Sequence, residues 1–229
     1  MNDKIIKERL DAIFNEPLIN KQADAIRKRG YVTTNYRRAR ALVVGINPSY
    51  LVGDNEHSYF YQLEDALKEY SKHYEPFKKL LTKTEYENDW TYLDLFHFRE
   101  TNQKNINAFY QSDVQFLIDQ LRLTHDIMTA IRPDLLIICN SHSADYFGIN
   151  KLEVDQRYRN LWYGYDFDFN QKLGVHVVSK RLDESIVAES NSSLVGKPIL
   201  FTSTLTYKSI FDKMRLNWHI QHIAKNRIS

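Results

Sequence analysis

Ala41-Leu-Val-Val-Gly-Ile46, running into Asn47-Pro-Ser49, is the stretch on which the fold turns. Six uncharged residues, apolar on both faces of an extended chain and closed by a proline, describe a strand buried in the middle of a sheet. Three further runs share the pattern: 90–96 (WTYLDLF), 134–139 (DLLIIC) and 198–202 (PILFT). Helical spacing fills the intervals. Residues 3–29 predict two short helices interrupted at Pro17, with Gly30 ending the second. Residues 59–81 predict helix in pieces around Pro76, 113–131 a helix with Asp113 near its cap, 142–147 a short helix capped by Ser141 and stopped at Gly148, and 207–224 a final amphipathic helix. Residues 162–169 and 175–180 alternate around a turn, which predicts an antiparallel hairpin. Strands alternating with helices imply an α/β protein, a three-layer α/β/α sandwich on a four-stranded parallel central sheet, with the hairpin as an insertion. Without a repeat, low-complexity tract or linker, the simplest account is one domain over residues 1–229: an N-terminal helical segment, 1–40, and a core, 41–226.

Composition narrows the function classes. With 43% hydrophobic and 26% charged residues in 229, the chain is neither disordered nor a coiled coil, and at this length folding hides roughly 70% of the unfolded surface without any staple. The lone Cys139 excludes an intrachain disulfide and any four-cysteine cluster, and points to a reducing cytoplasm. Thirty-one Lys and Arg against 29 Asp and Glu leave a net charge of +2, so nucleic acid would have to be held by a local patch. The first nine residues are charge-rich where a signal peptide needs an apolar stretch, and no window approaches the ~18 apolar residues of a membrane span. The expectation is a soluble, non-secreted, cytoplasmic protein.

In a parallel sheet, ligand chemistry gathers at the carboxyl ends of the strands. Four such ends stand out: Gly45-Ile46-Asn47-Pro48-Ser49, Asp94-Leu-Phe-His97, Asn140-Ser-His142 and Ser203-Thr204-Leu-Thr206. In the first, Gly45 permits close backbone approach, Pro48 stiffens the turn, and the Asn47 amide can orient a water or a sugar hydroxyl. A tight turn with a self-bonded Asn is the structural alternative.

At these residues the chain resembles the uracil-DNA glycosylase superfamily, whose mismatch-specific branch carries Gly-Ile-Asn-Pro-Gly at this place. The segment 132–148, Arg-Pro-Asp followed by an apolar strand and a small-residue helix start, looks like that superfamily's penultimate strand and helix. Residues 199–206 stand where the family has its last strand and loop. The resemblance covers roughly residues 41–224. It implies a cofactor-free hydrolase of the N-glycosidic bond of a modified or mismatched base, a base-excision activity of DNA repair, on DNA or a related nucleoside. Residue by residue it implies that Asn47 holds water and that Tyr59 or Phe60 stacks on the base. Asp94 would stand where an Asn reads the base, and Ser203 and Thr204 would occupy the final loop beside Thr206. Ile46, Pro48, Ser49, Tyr50, His97 and Asn140 complete the expected substrate-binding rim.

Three departures belong with the matches. Ser49 replaces the motif's last Gly, the final loop has no histidine, and an ionised Asp94 offers only acceptors where uracil's O4 needs a donor. These departures keep open a binding protein that has lost the chemistry, and an unrelated small-molecule hydrolase on a similar sheet is a third reading. Weaker constellations are Cys139 with His142 as a thiol nucleophile, His219 with His222 as metal ligands, and the basic residues Arg27, Lys28, Arg29, Arg37, Arg38 and Arg40 as phosphate contacts. Two expectations follow: Asn47, Asp94 and Ser203 converge on one cleft, and the chain holds no structural metal.

Overall fold

A computed structural model of the chain describes residues 1–51, 53–54, 56–149, 152–154, 157–159, 162–181, 185–186 and 194–226. Two helices, α1 (Asp3–Asn15) and α2 (Lys21–Lys28), precede a short strand β1 (Val32–Thr34) and the central strand β2 (Ala41–Gly45). There follow β3 (Tyr59–Tyr61), α3 (Leu63–Glu69), α4 (Ser71–Leu81), β4 (Trp90–Asp94), α5 (Val114–Ile131), β5 (Leu135–Ile138) and α6 (Ser141–Phe147). The chain ends through β6 (Leu152–Val154), β7 (Arg157–Arg159), β8 (Tyr165–Asn170), β9 (Val175–Arg181), β10 (Pro198–Phe201) and α7 (Ile210–Asn226).

The main sheet is six-stranded and mixed, in the order β4-β2-β5-β10-β9-β8. Its β4-β2, β2-β5 and β5-β10 pairings are parallel, whereas β10-β9 and β9-β8 are antiparallel. The expected four-stranded parallel sheet is thereby corrected to a mixed six-stranded one: the hairpin β8–β9 pairs with β10 and extends the sheet. Pro198 opens β10, where a strand tolerates a residue without an N–H.

Each buried strand divides its side chains between two cores. Leu42, Val44, Leu136 and Ile138 face α1, α2, α5 and α6 on one side. Ala41, Val43, Leu135 and Ile137 face α3, α4 and α7 on the other. This period of two is why β2 reads as continuously apolar, and each fully buried Val, Leu or Ile contributes roughly 1.5–3 kcal/mol. In α5 the buried Phe116, Leu117, Gln120, Leu121, Thr124, Ile127, Met128 and Ile131 recur at helical spacing. Its cap residue Asp113 turns away, its carboxylate accepting instead from the Ile19 and Asn20 amides at 2.7 and 2.9 Å.

Three local features depart from the expectations. Residues 59–61 are strand, pairing parallel with β1 as a second, two-stranded sheet. Pro76 lies inside α4 without splitting it, and the break falls at Tyr70 between α3 and α4. Asn140, not Ser141, caps α6, accepting from the His142 amide at 2.9 Å.

The topology places a crevice. From β2 the chain passes to α3 and α4 on one face, and from β4 to α5 on the other, so the carboxyl ends of these adjacent strands are left open between diverging connections. The β1–β3 pair is moored beside that opening by the Val32 amide, which donates to His97 O at 3.0 Å. Gly30, at φ +77°, lets the backbone at His57 and Ser58 pass where a Cβ would come within 2.8 Å.

Candidate functional site

At the open ends of β2 and β4 lies a cavity of about 570 Å³. Asn47, Pro48 and Ser49 enter it from β2, Asp94 and Arg99 from β4 and its continuation, Tyr59 and Tyr61 from β3, and Tyr70, His73 and Tyr74 from the α3–α4 hairpin. Tyr59 and Tyr61 point inward together because alternate residues of a strand share a face. Phe60, between them, turns to the core and meets the Tyr31 ring edge-on at 6.2 Å.

Asp94 is the centre of the polar network. Its Oδ1 accepts from Tyr92 Oη at 2.8 Å, while Oδ2 takes no hydrogen bond among the described residues and is not sealed from the cavity. Burial pushes the Asp94 carboxyl up to about 7, against the lowering effect of the Tyr92 hydrogen bond. Tyr61 and Tyr74 share a hydrogen bond at 2.7 Å, and Thr34 donates to Tyr61 Oη at 2.9 Å. Burial, reinforced by the Asp94 charge, holds the Tyr61, Tyr74 and Tyr92 phenols well above their ordinary range. They are neutral donors over the whole physiological span. His73 Nε2 lies 3.4 Å from Tyr92 Oη, whose proton is committed to Asp94.

Gly45 makes this arrangement fit. It sits opposite Asp94 in the β2–β4 register, and a Cβ there would lie 2.0 Å from Tyr92 Oη and 2.2 Å from Asp94 Oδ1. The Gly45 requirement is one of space, since the buried Tyr92–Asp94 pair occupies the volume that any side chain would need.

Asn47 lines the cavity, but its amide is spoken for. Nδ2 donates to Glu100 O at 2.6 Å and Pro48 O at 2.9 Å, and Oδ1 accepts from Gln103 Nε2 at 2.7 Å. Asn47 therefore ties the strand end to the loop beyond β4, and only the remaining lone pair of Oδ1 is left for a water. Ile46 belongs to the core.

Arg99 is the residue whose importance the motifs missed. Its side chain is 6% exposed, it meets Asp54 Oδ2 at 3.0 Å, and its guanidinium lies over the Tyr50 and Tyr59 rings at 5.2 and 5.9 Å. Arg29 stands over the same Tyr50 ring at 4.4 Å and pairs with Glu100 at 2.8 Å. Against the raising effect of burial, the Asn102 amide, Asn105 and Arg29 hold Glu100 below the usual carboxylate range.

The remaining expected site residues lie elsewhere. Ser203 lines a second groove of about 450 Å³, with Ser141, His176 and Phe201, so the convergence of Asn47, Asp94 and Ser203 is corrected to Asn47 with Asp94 alone. The reason is strand order: β5 and β2 separate β10 from β4. Thr204 precedes a 3-10 turn and Thr206 is exposed. His97 does not face the cleft; it is fully buried, with Nε2 3.1 Å from Thr124 Oγ1, and burial lowers it to about 3, so it is neutral. Asn140 is consumed as a helix cap.

Cys139 is buried, and burial pushes its thiol far above the ordinary value, which leaves no thiolate. His219 and His222 bond the backbone carbonyls of Leu173 and Lys172 at 3.0 and 2.8 Å, holding α7 to the β8–β9 turn. In the basic cluster Arg27 and Lys28 pair with Asp24, Arg37 with Glu64, and Arg40 with Asp134 and Glu85. Among the described residues no group of three or more His, Cys, Asp or Glu is arranged to hold a metal ion, and no helix is long and apolar enough to cross a membrane. A scan against protein-family models and a search of curated proteins both find no match to this chain.

Proposed function

We propose that the cavity binds a nucleobase-bearing ligand, with Asp94 reading the base edge and the tyrosines of β3 and α4 flanking the ring. The observation that carries this reading is the Asp94 carboxyl, which keeps one oxygen on Tyr92 and turns the other toward a tyrosine-lined space of nucleoside size. A midpoint near 7 gives Oδ2 two roles. Protonated, it donates to a ring carbonyl such as uracil's O4; ionised, it accepts from a ring N–H. The case against uracil assumed an ionised carboxylate, and it lapses below pH 7.

Hydrolysis of the N-glycosidic bond, as in the uracil-DNA glycosylase superfamily that the sequence resembles, is the second reading. It is favoured by Asn47, Pro48 and Ser49 lining the same cavity as Asp94. The occupied Asn47 amide and the distant Ser203 weigh toward binding without cleavage.

Calorimetric titration with uracil, thymine, cytosine and adenine at pH 6 and pH 8 tests the first reading. A single-turnover excision assay on single-stranded oligonucleotides carrying one deaminated or damaged base tests the second. We expect uracil to bind about tenfold more tightly at pH 6, the ratio of protonated Asp94 at the two values, and Asp94→Asn to abolish the pH dependence. Absence of binding by every base at both values would end the base-reading account, whereas excision of any base would establish hydrolysis.

A further inference from the structure

Helix α7 carries two apolar stripes where a surface helix needs one. Leu216, Ile220 and Ile223 form the inner stripe, buried with Tyr74, Phe77, Leu80 and Leu81 of α4. On the opposite side of the helix Ile210, Phe211, Met214 and Trp218 recur at spacings of three and four. These four, with Tyr207 just before the helix, are between 63% and 91% exposed. We infer that the outer stripe is the contact surface between two copies of this chain, packed antiparallel about a two-fold axis at Met214.

The helix cannot turn the stripe inward. Asn217 Nδ2 donates to the Leu80 and Thr82 carbonyls at the end of α4, at 2.7 and 2.8 Å, while His219 and His222 hold the other flank to the β8–β9 turn. Trp218 is itself fixed, its ring stacked on His222 at 5.6 Å. The stripe is thus presented ready-made, and ordering it costs a partner little.

Area and charge select the occupant. An aromatic side chain offers 150–250 Å² in full, so at these exposures the five residues leave roughly 700–900 Å² open. That exceeds the roughly 300–600 Å² of the largest apolar patch on a typical monomer and matches the roughly 800 Å² that each partner gives to a stable interface. The border is close to neutral: Arg215 pairs with Asp212 on its own helix at 3.2 Å, Lys208 and Lys213 are half-buried, and Lys225 closes the far end. An anionic lipid surface would call for a basic border. A second copy needs only a stripe that matches itself. Ile210 and Trp218 each stand four residues from Met214, so the two-fold sets each Trp218 against the partner's Ile210 and sends the two Lys225 ammonium groups to opposite ends.

The test is sedimentation of the full chain across a concentration series, with and without vesicles of phosphatidylcholine and phosphatidylserine. We expect a monomer–dimer equilibrium, micromolar or tighter, with no binding to the vesicles. Phe211→Glu combined with Trp218→Glu removes two aromatic anchors and should weaken the dimer by about a hundredfold or more. Because Cys139 is buried, Met214→Cys adds the one reactive thiol; under a mild oxidant it should link the two copies across the axis. Trp218→Cys, about 12 Å along the helix from its mate in the antiparallel pair, should not. A chain that is monomeric at every concentration, or a dimer that the double variant leaves intact, would overturn the pairing. So would a monomer that sediments with the vesicles, which would assign the stripe to a lipid surface. If the double variant does not fold, the cysteine variants decide: a link through position 214 alone sustains the antiparallel pair, and any other pattern removes it.

Discussion

The sheet has two candidate ends that look alike in sequence and differ in physics. At β2 and β4, adjacent strands deliver Asn47 and Asp94 to one cavity whose opposite wall is made by β3 and α4. At β10, Ser203 lies in a groove shared with α6 and the β8–β9 hairpin, lined by Ala144, Ile149, Phe169, Val175, Ile199, Leu200 and Phe201. The first end buries a carboxyl, a guanidinium and several phenols, while the second presents neutral hydroxyls and one imidazole among apolar side chains. Membership of one parallel sheet does not make two strand ends share a site; adjacency and a common roof do.

The comparison breaks most sharply at Gly45. Gly45→Ala drives a Cβ into the Tyr92–Asp94 hydrogen bond, which combines overpacking with a lost buried bond and should cost about 4 kcal/mol in urea unfolding. A cost below 1 kcal/mol would mean that the pair moves aside and the site is softer than its packing. Asp94→Asn comes next, with the opposite sign. The folded midpoint near 7 stands above the ordinary 3.8, so between these values the native chain holds a proton that the unfolded chain has released. Stability of the parent therefore falls as pH rises from about 4 to about 7 and levels above that. Asp94→Asn should escape this loss and be more stable than the parent by about 4 kcal/mol at pH 8, with little difference at pH 4. A gap that does not change with pH would remove Asp94's titration from the account.

Asn47→Ala releases the loop that carries Glu100 and Gln103 and should cost about 2 kcal/mol. The smallest effect belongs to the other end of the sheet. Ser203 is exposed, and Ser203→Ala should stay within about 0.5 kcal/mol in stability and leave base binding unchanged. A loss of base binding there would restore the single cleft that the strand order separates.

What could be read without coordinates follows the reach of each interaction. The four core strands were legible at 41–46, 90–96, 134–139 and 198–202 because burial on both faces writes itself into consecutive residues. The α5 helix was legible because its apolar residues, from Phe116 to Ile131, enter one core at helical spacing. The docking of β9 onto β10 was not, since that pairing is decided between distant segments and leaves no local period. β3 hid for a different reason: three residues, Tyr59, Phe60 and Tyr61, are too few to establish a period of two. With β3 unseen, the roof of the cavity was unseen, and Tyr61, Tyr74 and Arg99 lost their meaning. Asp94 was identified through its strand end, but its neutral form could not be, because desolvation is a property of the packed Tyr92 neighbourhood.

The pairing of Gly45 with Asp94 across β2 and β4 also fixes where binding will be felt. Asp94 ends β4, which pairs with the buried strand β2 along its length, and amides bonded between buried strands exchange mainly through openings close to global unfolding. A ligand held there slows exchange across β4, β2 and β5 together and raises the melting temperature of the entire fold. A ligand held only by the α3–α4 side of the cavity slows exchange locally, around Tyr70, His73 and Tyr74, and leaves the sheet's amides as they were.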